Sequence, residues 1–398
     1  MPTPSSALSP GPALHEPPQV LRRPLGFPVG PGAPGPVAVV VGGRAEAVKL
    51  AEVVRRLGAA GLLVHVGGPG DALPAAVREQ LDLARGGGTA LALDPGGTSP
   101  GQRLGAAVTA LDEAFTRHRP SAVVVHGGTP AALAGALAAH AVDVPVVHVE
   151  AGLRSFDRAV PDERHRVLID QLAELCCAPT PLAVRNLRAE GVADERILLT
   201  GGTSVESVRH LRLPPAAQAD VLAGLGLAPG FVLVTLHRPE NVDRPAVLRQ
   251  VLTEVAAVAA AGPPVVLVAP APDVRRWRGD GLGDLLDRCT VLAPQPPAQF
   301  LALVEQARLV VSDSGGTQEE AAVLGRRLVV LRRRTERPEL LATPGSLVPA
   351  GLRLAAAVRS ALAEDPVAPA AAAPPSPYGD GSASRVVVES IVKLVAPS

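Results

Sequence analysis

The chain has 398 residues, 47% of them hydrophobic and 19% charged, which is too long for one core and too apolar for a disordered polymer. Its 38 basic and 38 acidic side chains cancel, so no global field draws it to nucleic acid or to an anionic membrane. Aromatic residues at 2% leave few platforms for stacking exposed bases, although a local cationic pocket for a small anion fits this balance.

Residues 1–36 are dense in Pro, Gly and Ser and read as a disordered extension. From Val37 onward, short Val-rich runs alternate with helical stretches. Val37–Val41, Leu62–Val66, Ala122–His126, Val144–Val149 and Ile197–Thr200 read as buried strands of a first domain over 37–212. The pattern restarts over 213–380 with Phe231–Thr235, Val265–Val268, Thr290–Leu292, Leu309–Ser312 and Leu328–Leu331. The Pro-rich stretch Leu213–Pro215 suits the boundary, and an amphipathic helix within 381–398 is expected to pack back on the first domain. Alternation of this kind predicts an α/β fold of two Rossmann-like, doubly wound parallel sheets. Two such sheets face each other across a cleft, and ligands bind there, at the carboxyl ends of the strands.

Cys176 and Cys177 are adjacent and Cys289 is remote, so neither a paired framework nor a CxxC metal site can be read. This usage fits a reducing cytosol. The sequence carries no secretory signal pattern and no run of about 18 uncharged apolar residues, so a cytoplasmic protein without a membrane span is expected.

The candidate site residues fall in loops after strands. Gly42-Gly43-Arg44, with Lys49 further along the helix, would let backbone N–H groups approach an anion, which would also compensate a cation placed at a helix start. An ordinary turn with a surface Arg reads equally well. Ser312-Asp313-Ser314-Gly315-Gly316-Thr317-Gln318-Glu319-Glu320 runs from strand to helix and offers a diphosphate nest, with Ser314 as a donor and Glu320 placed for ribose hydroxyls. Glu150, after Val149, and Asp162, after Pro161, form an acid–base pair if they converge. A salt-bridge network with Arg154 and Arg166 is the alternative. His237 closes a strand of the second domain and could give charge or a proton to a leaving phosphate.

Taken in order, His148–Arg154, His237–Asn241, Ser312–Glu320, Thr335–Glu339 and Pro377–Gly381 resemble the non-hydrolysing UDP-N-acetylglucosamine 2-epimerases. The likeness runs from about Val37 to Gly381. It implies a GT-B-like fold, a homodimer, a UDP-sugar bound in the cleft, and no cofactor or metal. It also places Arg44 and Lys49 at basic substrate positions and Gln295 and Phe300 around the uracil. Ser314, Gly315 and Gly316 fall on the diphosphate, Glu320 on the ribose, and Arg337 at a further UDP contact. Glu150, Asp162 and His237 take the positions assigned to catalysis.

The chain departs from that pattern where the family has His-Gly-Asp-Thr and this sequence has His126-Gly127-Gly128-Thr129, so a carboxylate is missing at Gly128. Asp162 stands where Glu is usual, the Gln-His-Arg segment of an allosteric site is replaced around Gly67–Asp71, and Val268-Ala269-Pro270 stands in place of a Pro-x-His. Three readings follow: epimerisation by Glu150 and Asp162, with Glu163 as a further candidate acid, action on another UDP-sugar, or binding without turnover. A GT-B glycosyltransferase and a hydrolysing variant are the rival enzyme classes. On sequence alone, restoring the acid through Gly128→Asp is expected to raise a weak epimerase activity.

Overall fold

A computed structural model describes residues 35–67, 89–341, 347–349, 353–363 and 376–396. The extension expected over 1–36 lies outside them apart from Gly35 and Pro36, as does most of the replaced allosteric segment.

The first sheet has seven strands in the order β3-β2-β1-β4-β5-β6-β7. They are β1 (Val37–Val41), β2 (Gly61–Val66), β3 (Thr89–Leu93), β4 (Ala122–His126), β5 (Val146–Val149), β6 (Leu175–Ala178) and β7 (Ile197–Leu199). Every neighbouring pair is parallel. The second sheet has the order β10-β9-β8-β11-β12-β13. Its strands are β8 (Val232–Thr235), β9 (Val265–Val268), β10 (Thr290–Leu292), β11 (Leu309–Ser312), β12 (Leu328–Leu331) and β13 (Leu347–Val348). They too pair in parallel throughout. β1, β4, β5 and β8 are buried along their whole length, as β-branched strands covered by helices on both faces must be.

In each sheet the chain order reverses once, between β1 and β4 and between β8 and β11. Strands on either side of such a point send their crossovers to opposite faces, leaving a crevice at their C-terminal ends. Helices α1 (Arg44–Leu57), α2 (Pro100–His118), α3 (Pro130–Ala141), α4 (Pro161–Leu172), α5 (Pro181–Ala189) and α6 (Thr203–Leu211) cover the first sheet. Helices α7 (Pro215–Gly224), α8 (Pro245–Ala260), α9 (Pro297–Gln306), α10 (Gly315–Val323) and α11 (Leu354–Ala363) serve the second. Many begin with Pro in the first turn, where a missing N–H costs no helical bond. The last helix, α12 (Ala383–Val395), packs against α1 and α6, with Val387, Ile391 and Leu394 joining the core around Leu50 and Val53. Helix α6 touches both α1 and α10 and so lies where the two halves meet.

Candidate functional site

At the first switch point, the Gly42-Gly43 turn supplies its own anion. Glu46, buried in the first turn of α1, accepts from the Gly42 N–H at 2.7 Å and from Thr129 Oγ1 at 2.5 Å. Burial pushes its carboxyl above the usual range, against the hydrogen bonds of Thr129 and the turn. The Gly42 N–H is thus already engaged by a side chain of the same helix. A carboxylate two residues into the helix already satisfies the donor and the helix dipole. Arg44 points outward instead and donates to the Gln295 carbonyl of the second half at 3.1 Å.

Lys49, one turn deeper, enters a buried ionic cluster that joins the two sheets. Its Nζ lies 2.5 Å from Glu150 Oε1 and 2.7 Å from Glu319 Oε2. Arg337 reaches Glu150 Oε2 at 3.3 Å and also pairs with Glu319 and Glu336. His126 Nε2, at the end of β4, lies 3.2 Å from Glu150 Oε1. Burial alone would raise the Glu150 carboxyl, but His126, Lys49 and Arg337 hold it well below the ordinary carboxylate range. Lys49 and Arg337 are correspondingly held above theirs by these carboxylates, against the opposing effect of burial. Glu150 adopts a left-handed backbone with φ of 64°. For a residue with a Cβ this costs about 1–2 kcal/mol, and such strain persists where the surroundings fix the side chain for a purpose.

The second switch point presents the Ser314-Gly315-Gly316 turn at the start of α10. Ser314 Oγ caps the helix by accepting from Thr317 N at 3.4 Å, and a side chain at Gly315 would press on Arg337 Nη1 at 2.6 Å. Glu320 is half-buried, and burial beside Glu319 pushes its carboxyl up to about 7 against the pull of Lys49 and Arg44. His237, after β8, is exposed, with its Nδ1 2.9 Å from Asp313 Oδ1. Asp313 is fully buried and also accepts from Arg238 N at 3.0 Å and Asn241 Nδ2 at 2.9 Å. Phe300 packs half-buried on the core behind β8 and β11, while the Gln295 side chain donates to the Ala293 carbonyl of its own loop at 2.7 Å.

Several sequence readings change here. Arg154 does not pair with Glu150 or Asp162 but turns into Asp170 and Glu190, each at 2.6 Å. Glu163 accepts from the Ser155 and Phe156 N–H groups at 3.0 and 2.7 Å, so it braces the loop before α4. Asp162 stays half-buried at the start of α4, outside the ion cluster. The space that the missing acid at Gly128 would fill is also taken. A Cβ there would meet the Asp162 carbonyl oxygen at 2.4 Å and Arg166 Cγ at 2.9 Å. The first turn of α4 sits on the glycine, so a side chain at 128 has to displace that turn before an acid there reaches the site.

Glu319, Glu336, His126 and Asp313 lie within strings read from the sequence but were assigned no role there. Their signals were faint: one half of an acidic doublet, one Glu within an Arg-rich string, and two residues closing strands.

Two parallel sheets joined across their C-terminal ends by buried ion pairs, with a glycine-led helix start on one side, define a two-domain α/β protein with its site in the cleft. The family model described as UDP-N-acetylglucosamine 2-epimerase matches residues 70–392. The UDP-N-acetylglucosamine 2-epimerase of Methanococcus maripaludis is 31% identical over 314 residues, covering 77% of this chain and 85% of its own. The UDP-2,3-diacetamido-2,3-dideoxy-D-glucuronate 2-epimerase of Pseudomonas aeruginosa is 32% identical over 367 residues, covering 90% of this chain and 99% of its own. Among solved structures, Methanocaldococcus jannaschii UDP-GlcNAc 2-epimerase in complex with UDP-GlcNAc and UDP is similar at a TM-score of 0.79 and 28% identity, covering 89% of this chain and 99% of that one. The chain belongs to the UDP-N-acetylglucosamine 2-epimerase family, and its paired sheets have the GT-B-like form of the family's solved members.

Proposed function

We propose that the chain interconverts UDP-N-acetylglucosamine and UDP-N-acetylmannosamine by eliminating UDP and adding it back. The observation that carries this reading is Glu150, strained, buried and clamped by Lys49 from one sheet and Arg337 from the other. A carboxylate so held is ionised but weakly basic. An incoming diphosphate competes for Lys49 and Arg337, so substrate binding itself strips Glu150 of its partners and raises its basicity in a dry site. The base then takes the C2 proton while the C1–O bond breaks and its electron pair leaves with UDP. The product is a 2-acetamidoglucal with a C1–C2 double bond. UDP re-forms the C1–O bond as a proton reaches the opposite face of C2. The Ser314–Gly316 helix start and the released cations stabilise the departing diphosphate. Glu320 takes the ribose hydroxyls, Gln295 and Phe300 border the uracil, Arg44 ties the uracil loop to α1, and His237, oriented by Asp313, faces the leaving group.

The test is incubation with UDP-N-acetylglucosamine in deuterated water, followed by proton NMR. Deuterium at C2 with a UDP-N-acetylmannosamine product is the expected result, and Glu150→Gln should slow it about 10²–10⁴-fold. Free sugar in place of the epimer would mean hydrolysis. Substrate that binds unchanged would mean that the protein is a sensor. The longer match to the diacetamido-glucuronate enzyme favours, as a second reading, a different UDP-2-acetamido sugar in the same chemistry. We place the enzyme in the cytoplasm as a homodimer. The unpaired cysteines and the family resemblance support this, and light scattering on the purified protein tests the assembly.

A further inference from the structure

The glycine that replaces a family carboxylate is not an empty position. His165, on α4, places its Nδ1 2.8 Å from the Gly128 carbonyl oxygen. A carbonyl only accepts, so Nδ1 carries the hydrogen and the neutral ring keeps its lone pair on Nε2. This is the tautomer a base needs, fixed by a backbone group as an orienting carboxylate would fix it.

The placement is equally specific. Residues 162 and 165 are one turn apart on α4, so Asp162 and His165 share a half-buried face. Arg166, the next residue, approaches Glu336 of the second half at 3.9 Å, which puts this part of α4 on the cleft. Gly128 follows β4, whose His126 pairs in register with Val149 of β5. His165 therefore sits above one strand end while Glu150 sits at its neighbour. Glycine at 128 lets α4 approach this closely, because a Cβ there would collide with the Asp162 carbonyl. The charged groups around this corner include Asp162, Glu163 and Arg166 on α4, His126 and Glu150 at the strand ends, and Glu336 across the cleft.

We propose that His165 is the second proton carrier of this site, replacing the carboxylate absent at Gly128. Resting on the epimerase reading, this assigns Nε2 to accept the C2 proton in one direction and to return it in the other. Glu150 serves the other face, and UDP leaves and re-enters at C1 with its electron pair. No further reactant is needed.

The discriminating variant is His165→Asn, whose side-chain amide sits where Nδ1 does and keeps the bond to Gly128 while removing the titrating nitrogen. Calorimetry should find UDP affinity within about twofold of the parent. C2 deuterium exchange should fall about 10²–10⁴-fold. The pH dependence of exchange should differ between parent and variant, because the variant has no ring nitrogen to carry the proton. Unchanged exchange with the same profile would overturn the assignment and leave a structural histidine. If His165→Asn does not fold, His165→Ala with added imidazole serves instead. Restored exchange supports the role, and no restoration counts against it. Parent protein that binds UDP-N-acetylglucosamine without exchanging C2 would sink the epimerase reading and this one together, whereas an active His165→Asn sinks this one alone.

Discussion

Glu319 and Glu320 are neighbours on one helix, yet the site treats them in opposite ways. Glu319 meets Lys49 and Arg337 and is fully drawn into the ion cluster. Glu320, half-buried beside Glu319, has its carboxyl raised by burial from 4.5 to about 7 against the weaker pull of Lys49 and Arg44. The native state then holds a proton that the unfolded chain has lost between those values. Its contribution to stability consequently falls as pH rises through that window and levels off above it. Ribose hydroxyls donate more strongly to the ionised form, so UDP should tighten as pH rises from 6 to 8 and should expel a proton near pH 7. Calorimetry in two buffers of different ionisation heat measures that proton, and Glu320→Gln should abolish both effects. UDP binding that releases no proton would remove Glu320 from the ribose. The sequence displayed the doublet plainly but could not say which carboxylate faces the cations. That depends on helix phase relative to a strand from the other sheet.

At the level of elements, the contact between α4 and the loop after β4 decides what the site can contain. Because a Cβ at 128 would lie 2.4 Å from the Asp162 carbonyl, Gly128→Ala forces the start of α4 outward. Overpacking of this kind costs about 1–3 kcal/mol, which urea unfolding would read as a lower midpoint with an unchanged slope. C2 exchange should drop in the same variant, since the His165 anchor moves with α4. A variant as stable and active as the parent would mean that α4 rests less closely on the glycine. Nothing in the sequence foretold this contact, which joins residues far apart in the chain. Strands were far easier to read. The runs Val37–Val41, Ala122–His126 and Leu309–Ser312 have the bounds their composition announces, because branched side chains buried on both faces leave no other pattern. β6 escaped notice since Leu175-Cys176-Cys177-Ala178 has no β-branched residue, and β3, Thr89-Ala90-Leu91-Ala92-Leu93, reads as well for a helix.

Across the molecule, the same charges that would grip a ligand hold the two halves together. Lys49 to Glu319, Arg337 to Glu150, Arg44 to the Gln295 carbonyl and Thr180 to Glu339 all run from one half to the other. On the proposed function, a diphosphate entering beside α10 competes with Glu150 and Glu319 for Lys49 and Arg337. That exchange limits ground-state affinity while freeing Glu150 at the moment it is needed, a division that favours turnover over tight binding. Glu319→Gln separates the two effects. It removes a charge from the diphosphate's competitors while leaving Glu150 and the shape of the helix in place. UDP should bind about tenfold more tightly, equivalent to about 1.4 kcal/mol, and the gain should shrink as salt screens the freed cations. The turnover number should not rise with it, because the added attraction is present before the C1–O bond breaks. If calorimetry instead gives equal or weaker UDP affinity for Glu319→Gln, then Lys49 and Arg337 do not reach the diphosphate, and the cluster serves only to fasten the two sheets.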